Sequence, residues 1–125
     1  MKVAYIAGAY RASTLTEEME NIVKARKAAI LFWRKGYAVI CPHMNTAMFD
    51  AEIATDIILE GDLAMLSRCD VVVALPNWKS SEGARREIAK AFSLHLKVIF
   101  LSEEELENEN RKRTSFVESD TPRGG

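Results

Sequence analysis

The chain has 125 residues, enough for one domain with its own core, and at 48% hydrophobic and 28% charged it is not a disordered composition. Seventeen Lys and Arg against eighteen Asp and Glu leave a net charge of −1, so no basic excess points to nucleic acid or a membrane surface. No apolar run approaches the roughly 18 residues of a membrane span. Met1–Ile6 runs straight into a strand pattern, without the charged region, long apolar run and cleavage site of a signal peptide. Cys41 and Cys69 stand 28 residues apart in no disulfide or zinc pattern, and a cytoplasmic location is expected.

Lys2–Ala7 (KVAYIA) is an apolar run that stops at Gly8, which predicts a strand. Thr14 and Glu17 have capping-box spacing, and Met19, Ile22, Val23, Ile30 and Trp33 follow as the apolar face of a helix. Gly36 stands where that helix wants a left-handed terminus. Tyr37–Cys41 predicts a second strand, closed by Pro42. A second helix is expected from about Glu52 to Arg68, with Ile53, Ile57, Ile58, Leu63 and Leu66 as its apolar members and Gly61 weakening its middle. Asp70–Leu75 (DVVVAL) shows no alternation, as expected of a parallel strand covered on both faces. Ser81 is placed to cap a third helix reaching about His95, and Lys97–Leu101 closes the pattern as a fourth strand.

The order β-α-β-α-β-α-β with short connections predicts an α/β fold. It is a Rossmann-like or flavodoxin-like open parallel sheet of four to five strands, with helices on both faces. This domain is expected to span residues 1–101. Residues 102–125 are expected to form a charged extension, either partly ordered, with a helix starting over Glu103–Glu109 and an edge strand at Ser115–Glu118, or a solvated and partly disordered end; Thr121–Gly125 is expected to fray.

In such a sheet, ligands bind outside the carboxyl ends of the strands, and helix N-termini there favour anions. That edge collects Gly8–Ser13, Pro42–Thr46 and Pro76–Gly83. The first loop, GAYRAST, lacks both the dinucleotide fingerprint and the P-loop; Tyr10 and Arg11 are either sugar or phosphate contacts or ordinary loop residues. Gly83 permits close approach of a ligand, and Glu87 lies one turn further along the helix. Glu87 is a nucleophile or base, or else a solvated carboxylate paired with Arg85, Arg86 or Lys90. Asp62, beside Glu60, is by itself a weak candidate, since most such carboxylates are solvated. His43 lies at the edge of the second strand without metal-ligand spacing, and no metal or cofactor is expected. Asn45 and Thr46 read as turn formers, Met44 and Met48 as packing residues, and His95 as a helix-dipole partner.

Three stretches carry a family likeness: YIAGAYR (5–11), GYAVICPHMNT (36–46) and EGDLAMLSRCDVVVALPNWKSSEGARREIAKA (60–91). Their specific part is Asp62, Asp70 eight residues later, then Ser81-x-Gly83-x-x-x-Glu87. With these the sequence resembles the nucleoside 2-deoxyribosyltransferase superfamily. It is most similar to a branch of small transferase-like proteins related to the 2′-deoxynucleoside 5′-phosphate N-hydrolases. The resemblance implies that Glu87 is the nucleophile at an anomeric carbon, that Tyr10 positions it, and that Asp62 transfers a proton to the leaving base or binds a hydroxyl. Gly8, Arg11, Ser13, His43, Asn45, Ser81 and Gly83 are then the substrate-binding residues. A nucleoside or nucleotide is the implied partner, in a homo-oligomer. Relative to the N-hydrolases, the loop Leu75–Ser80 is one residue longer and carries Trp78. The glycine-rich phosphate segment is replaced here by Arg11-Ala-Ser13-Thr14. Asn108, Asn110 and Ser115 are candidates for the residue that transferases donate to a neighbouring subunit's site. N-glycosidic bond cleavage or transfer is therefore expected. The alternatives are a nucleotide-binding or sensor module without turnover, and a structural oligomer subunit.

Overall fold

The structure, a computed structural model, describes residues 1–108. Strands β1 (Val3–Ala7), β2 (Ala38–Ile40), β3 (Val71–Ala74) and β4 (Lys97–Phe100) form one all-parallel sheet in the order β2-β1-β3-β4. Helices α1 (Leu15–Arg34), α2 (Pro42–Asn45), α3 (Thr55–Leu66) and α4 (Glu82–Ser93) connect them, with a 3-10 turn at Trp78–Ser80. The four predicted strands are present in the predicted order. The expected edge strand Ser115–Glu118, the frayed end Thr121–Gly125 and the candidates Asn110 and Ser115 lie outside the described residues.

Side chains alternate across a strand, so the sheet has two cores. On one face Ala4, Ile6, Val71 and Val73 meet Ala25, Ala28, Ala29 and Phe32 of α1. On the other, Tyr5, Ala7, Val72 and Ala74 meet Leu66 of α3 and Ile88 and Ala91 of α4. Helices therefore cover both faces, and the chain order reverses between β1 and β3. A crevice opens at the carboxyl ends of those two strands. Asp70 ties their opposite ends: its carboxylate accepts the Val3 N–H at 2.8 Å and its own N–H donates to the Val3 carbonyl at 2.8 Å.

The inward face of α1 differs from the expected one. Ala25, Ala28, Ala29 and Phe32 are buried at helical spacing, whereas Met19, Val23 and Trp33 are exposed and Ile22 and Ile30 are half-buried. Alanines let the helix axis approach the sheet closely, and the larger residues are left at its margins. Likewise α3 is shorter than predicted and buries Asp62 and Leu66, leaving Ile57 exposed. Met44 and Met48, read as packing residues, are both exposed. Thr14 caps α1 as expected, accepting the Glu17 N–H at 3.1 Å; the return bond to the preceding loop comes from Glu18, which accepts the Ala12 N–H at 3.4 Å. A true reciprocal box forms at residue 102. Ser102 Oγ accepts the Glu105 N–H at 3.1 Å, and Glu105 accepts the Ser102 N–H at 2.9 Å. Leu106, beyond the boundary expected at residue 101, is buried in the α1-side core.

Of the three long helices that lead into a strand, α1 and α4 end in the same bonded turn. After α1, Gly36 takes φ 97° while the Tyr37 N–H donates to the Phe32 carbonyl at 3.1 Å. After α4 the left-handed residue is His95, at φ 59°, with the Leu96 N–H on the Ala91 carbonyl at 3.0 Å. His95 is thus a left-handed helix terminator, a position glycine fills with less strain. His95→Gly is expected to raise stability by about 1 kcal/mol, read as a higher urea midpoint at unchanged slope. An unchanged midpoint would mean the turn carries no strain. Among the described residues no helix is long and apolar enough to cross a membrane.

Candidate active site

The crevice at the strand ends is a cavity of about 430 Å³, within the range of small-molecule sites. Its walls come from the loop after β1 (Gly8, Tyr10, Arg11), from α2 (Pro42, His43) and from α3 (Ile58, Leu59, Asp62). Ser80–Ala84, Arg86 and Glu87 supply the side formed by α4. The expected site residues Gly8, Tyr10, Arg11, His43, Asp62, Ser81, Gly83 and Glu87 are brought together there. Ser13 and Asn45 are exposed and outside the wall, and so is Asn108.

Of the four acids that line the cavity, Asp50 and Glu82 are not buried, whereas Asp62 and Glu87 are, each 8% exposed. Burial penalises their charged forms. It pushes the Asp62 carboxyl up to about 6 and, with the nearby Asp62 charge adding to it, the Glu87 carboxyl up to about 8. Glu60, two positions before Asp62, is exposed. Among the described residues no side chain hydrogen-bonds Asp62, so its carboxyl is free for a ligand. Glu87 forms no ion pair with its helix neighbours; Arg85 turns away and donates to the Lys79 carbonyl at 2.7 Å.

The hydroxyl on Glu87 is that of Tyr5, not Tyr10. Tyr5 lies fully buried on β1 and donates to Glu87 Oε2. Burial, with the Glu87 and Asp62 charges behind it, drives the Tyr5 phenol far above its ordinary value, so it stays a proton donor. This bond offsets part of the burial cost of ionising Glu87. Tyr10 takes a different place: its ring stands edge-on to His43 at 5.9 Å and its hydroxyl accepts the Met48 N–H at 3.3 Å. Tyr5 had a signal in the sequence, because a tyrosine in a strand buried on both faces needs a partner for its O–H.

His43 donates from Nε2 to the Ala9 carbonyl at 3.0 Å. A carbonyl only accepts, so Nε2 carries the proton and Nδ1 is an acceptor, buried without a partner among the described residues. Burial also lowers its pKa, keeping the ring neutral. Arg11 crosses the mouth to Asp50 at 3.1 Å and Thr55 at 2.8 Å. Arg86, not among the expected residues, faces the cavity with no hydrogen bond or ion pair among the described residues. Ser81 caps α4 by accepting the Ala84 N–H at 3.1 Å. At Gly83, beside that cap, a Cβ would make only ordinary contacts, 3.5 Å from Leu59 and 3.8 Å from Ser81 Oγ. Among the described residues no group of three His, Cys, Asp or Glu side chains is placed to hold a metal ion.

A parallel sheet in the order 2-1-3-4 with helices on both faces and a crevice at its carboxyl edge defines an open Rossmann-like α/β domain with its candidate site at the switch point of the sheet. Residues 2–100 match the family described as Domain of unknown function (DUF4406), and the chain belongs to that family. Among solved structures, the CMP N-glycosidase BcmB of Clostridium botulinum is similar, with a TM-score of 0.53 and 19% identity. The match covers 79% of this chain and 67% of that one. At that identity the likeness is one of fold. No curated protein matches the sequence.

Proposed function

We propose that this protein cleaves or transfers the N-glycosidic bond of a nucleoside or nucleotide through a glycosyl ester on Glu87. The observation that carries the reading is the pair of buried acids, Glu87 and Asp62, on one cavity wall with Tyr5 donating to Glu87. In the first step Glu87 Oε attacks the anomeric carbon, the bond to the base nitrogen breaks, and Asp62 gives its proton to the departing base. In the second, water or another base attacks the same carbon, returns a proton to Asp62 and frees Glu87. This is the division of labour of a retaining glycosidase. The proton is available because burial keeps Asp62 protonated closer to neutrality.

Arg11, Arg86 and the N-terminal turn of α4 suit an anionic group, which favours a 5′-monophosphate over a bare nucleoside. CMP, named in the similar solved structure, heads the panel to test. Homo-oligomeric assembly, expected from the resemblance, and a cytoplasmic location, expected from the cysteines, stay part of this proposal. The burial of Glu87 favours a second reading, a nucleotide-binding module: with its carboxyl pushed up to about 8 it is largely protonated at neutral pH, and a protonated carboxyl is no nucleophile.

A product assay separates the two. Wild type and Glu87→Ala are incubated with nucleosides and 5′-monophosphates, with and without free bases, and resolved by chromatography. Free base from wild type alone supports the enzyme, and the lanes with added base distinguish transfer from hydrolysis. No product from any member, with thermal stabilisation of both proteins by one of them, favours the binding module. Tyr5→Phe keeps the packing but removes the donor to Glu87. Its turnover is expected to fall roughly 10-fold, with the optimum moving to higher pH, because ionised Glu87 loses a charge-assisted bond. An unmoved optimum would detach Tyr5 from the ionisation of Glu87.

A further inference from the structure

We propose that Asn77 is a positioning residue that holds the cavity wall Gly8–Arg11 in register with Glu87, an assignment that rests on the N-glycosidase reading. Asn77 lies in the loop after β3, and its Oδ1 accepts the N–H of Ala9, in the loop after β1, at 3.0 Å. The carbonyl of the same residue accepts the His43 bond at 3.0 Å, so Ala9 is held from both sides. The other arm of Asn77, Nδ2, donates to Asn21 Oδ1 on α1 at 3.4 Å. Asn21 Nδ2 in turn donates to the Tyr10 carbonyl at 3.1 Å. One side chain thereby links the loop that carries Tyr10 and Arg11 to the loop that leads into α4.

This link has no ready substitute. Ala9 is 6% exposed, so its N–H has little access to water if Asn77 is lost. The sheet fixes the chain only as far as Ala7, whose carbonyl accepts the Leu75 N–H at 2.8 Å. Beyond it the two loops run in contact: a Cβ on Gly8 would fall 2.4 Å from Leu75 Cδ1. The remaining ties of this wall, Arg11 to Asp50 and to Thr55 at the start of α3, and Tyr10 to Met48, are all exposed bonds, and the Arg11–Asp50 side chains are 50% and 41% exposed. Exposed ion pairs fix little. Asn77 and His43 therefore set where Tyr10 and Arg11 stand relative to Glu87, and a misplacement near 1 Å costs about 10²-fold in rate.

The test compares Asn77→Ala, Asn77→Asp and Asn21→Ala with wild type. Asp keeps the acceptor for Ala9 and loses only the donor to Asn21. Amide exchange at Ala9 and Tyr10 is followed by NMR. Base release is measured on whichever 5′-monophosphate wild type hydrolyses fastest, with kcat and KM resolved. Asn77→Ala is expected to exchange at Ala9 at least 10-fold faster and to lose about 10- to 100-fold in kcat, with KM changing less. Asn77→Asp recovers protection at Ala9 and most of kcat, and Asn21→Ala lies between. A folded Asn77→Ala with wild-type kcat overturns the proposal, as does Asn77→Asp with Ala9 protected and kcat as low as in Asn77→Ala. If Asn77→Ala does not melt cooperatively, the Asp and Asn21 variants decide alone. No base release by wild type defeats the functional reading instead; unchanged Ala9 exchange in Asn77→Ala then defeats the clamp as well, and faster exchange sustains it.

Discussion

Glu87→Gln is expected to abolish turnover and, above neutral pH, to make the protein more stable. The amide is nearly isosteric and its oxygen still accepts from Tyr5, so the packing on β1 survives. It has no carboxylate to form the glycosyl ester, and loss of a nucleophile costs at least about 10³-fold. The gain in stability follows from the same burial. Glu87 ordinarily titrates near 4.5 and is pushed up to about 8 in the folded chain. A raised acid pKa means the folded state binds the proton more tightly than the unfolded one. Its contribution is fully present below about 4.5 and is lost as pH rises through about 8. At 1.36 kcal/mol per unit the span is on the order of 4 kcal/mol. Gln carries no such dependence. Melting curves of the two proteins should converge near pH 5 and separate by roughly 10 °C or more at pH 9, with Glu87→Gln the higher. Parallel curves across that range would mean Glu87 titrates as an exposed carboxylate. A substitution that stabilises while it inactivates marks a residue held at a cost in stability for the sake of chemistry.

The strands were legible because β-branched runs such as Val71–Val73 are unbroken and are stopped by Gly8, Pro42 and Pro76. Glu87 and Asp62 were legible as candidates only through the family resemblance, whose specific part is their spacing from Ser81, Gly83 and Asp70. The inward face of α1 was not, since a pattern of large apolar residues outweighs alanines when the neighbour is unknown. Only the sheet reveals that close approach, rather than bulk, is needed at Ala25, Ala28 and Ala29. Tyr5 escaped notice for a related reason: a run buried on both faces does not say which face each residue takes. Its bond to Glu87, 82 residues away, exists only once β1 lies against α4. Asn77 read as a loop residue because its partners, Ala9 and Asn21, are 68 and 56 positions distant. The segment between α2 and α3 has no periodicity to read, and Met48 at φ 67° marks its turn only in three dimensions.

Asp62→Asn should lower base release by about 10²–10⁴-fold and change the form of the pH profile, not only its height. In wild type Glu87 and Asp62 interact, so they take up and release protons as a pair with apparent values of about 8 and about 6. Between those values the pair holds one proton. The chemistry needs Glu87 ionised and Asp62 protonated, which is also a one-proton state. Whichever carboxyl holds the proton for most of the time, activity therefore follows the one-proton population. Wild-type kcat/KM should form a bell with its maximum near pH 7, falling tenfold per unit below about 6, where the nucleophile is protonated. Above about 8, where the acid is lost, it falls in the same way. With Asn at position 62 only Glu87 titrates, and the negative neighbour that helped raise it is gone. The low residual rate should then rise with pH to a plateau, its midpoint below that of wild-type Glu87, with no alkaline fall. A substrate whose base leaves without protonation should recover most of the loss, because Asp62 contributes only the proton. If Asp62→Asn keeps the bell, the proton comes from another group and Asp62 binds a hydroxyl instead. A plateau without rescue by the better leaving group would give Asp62 both tasks.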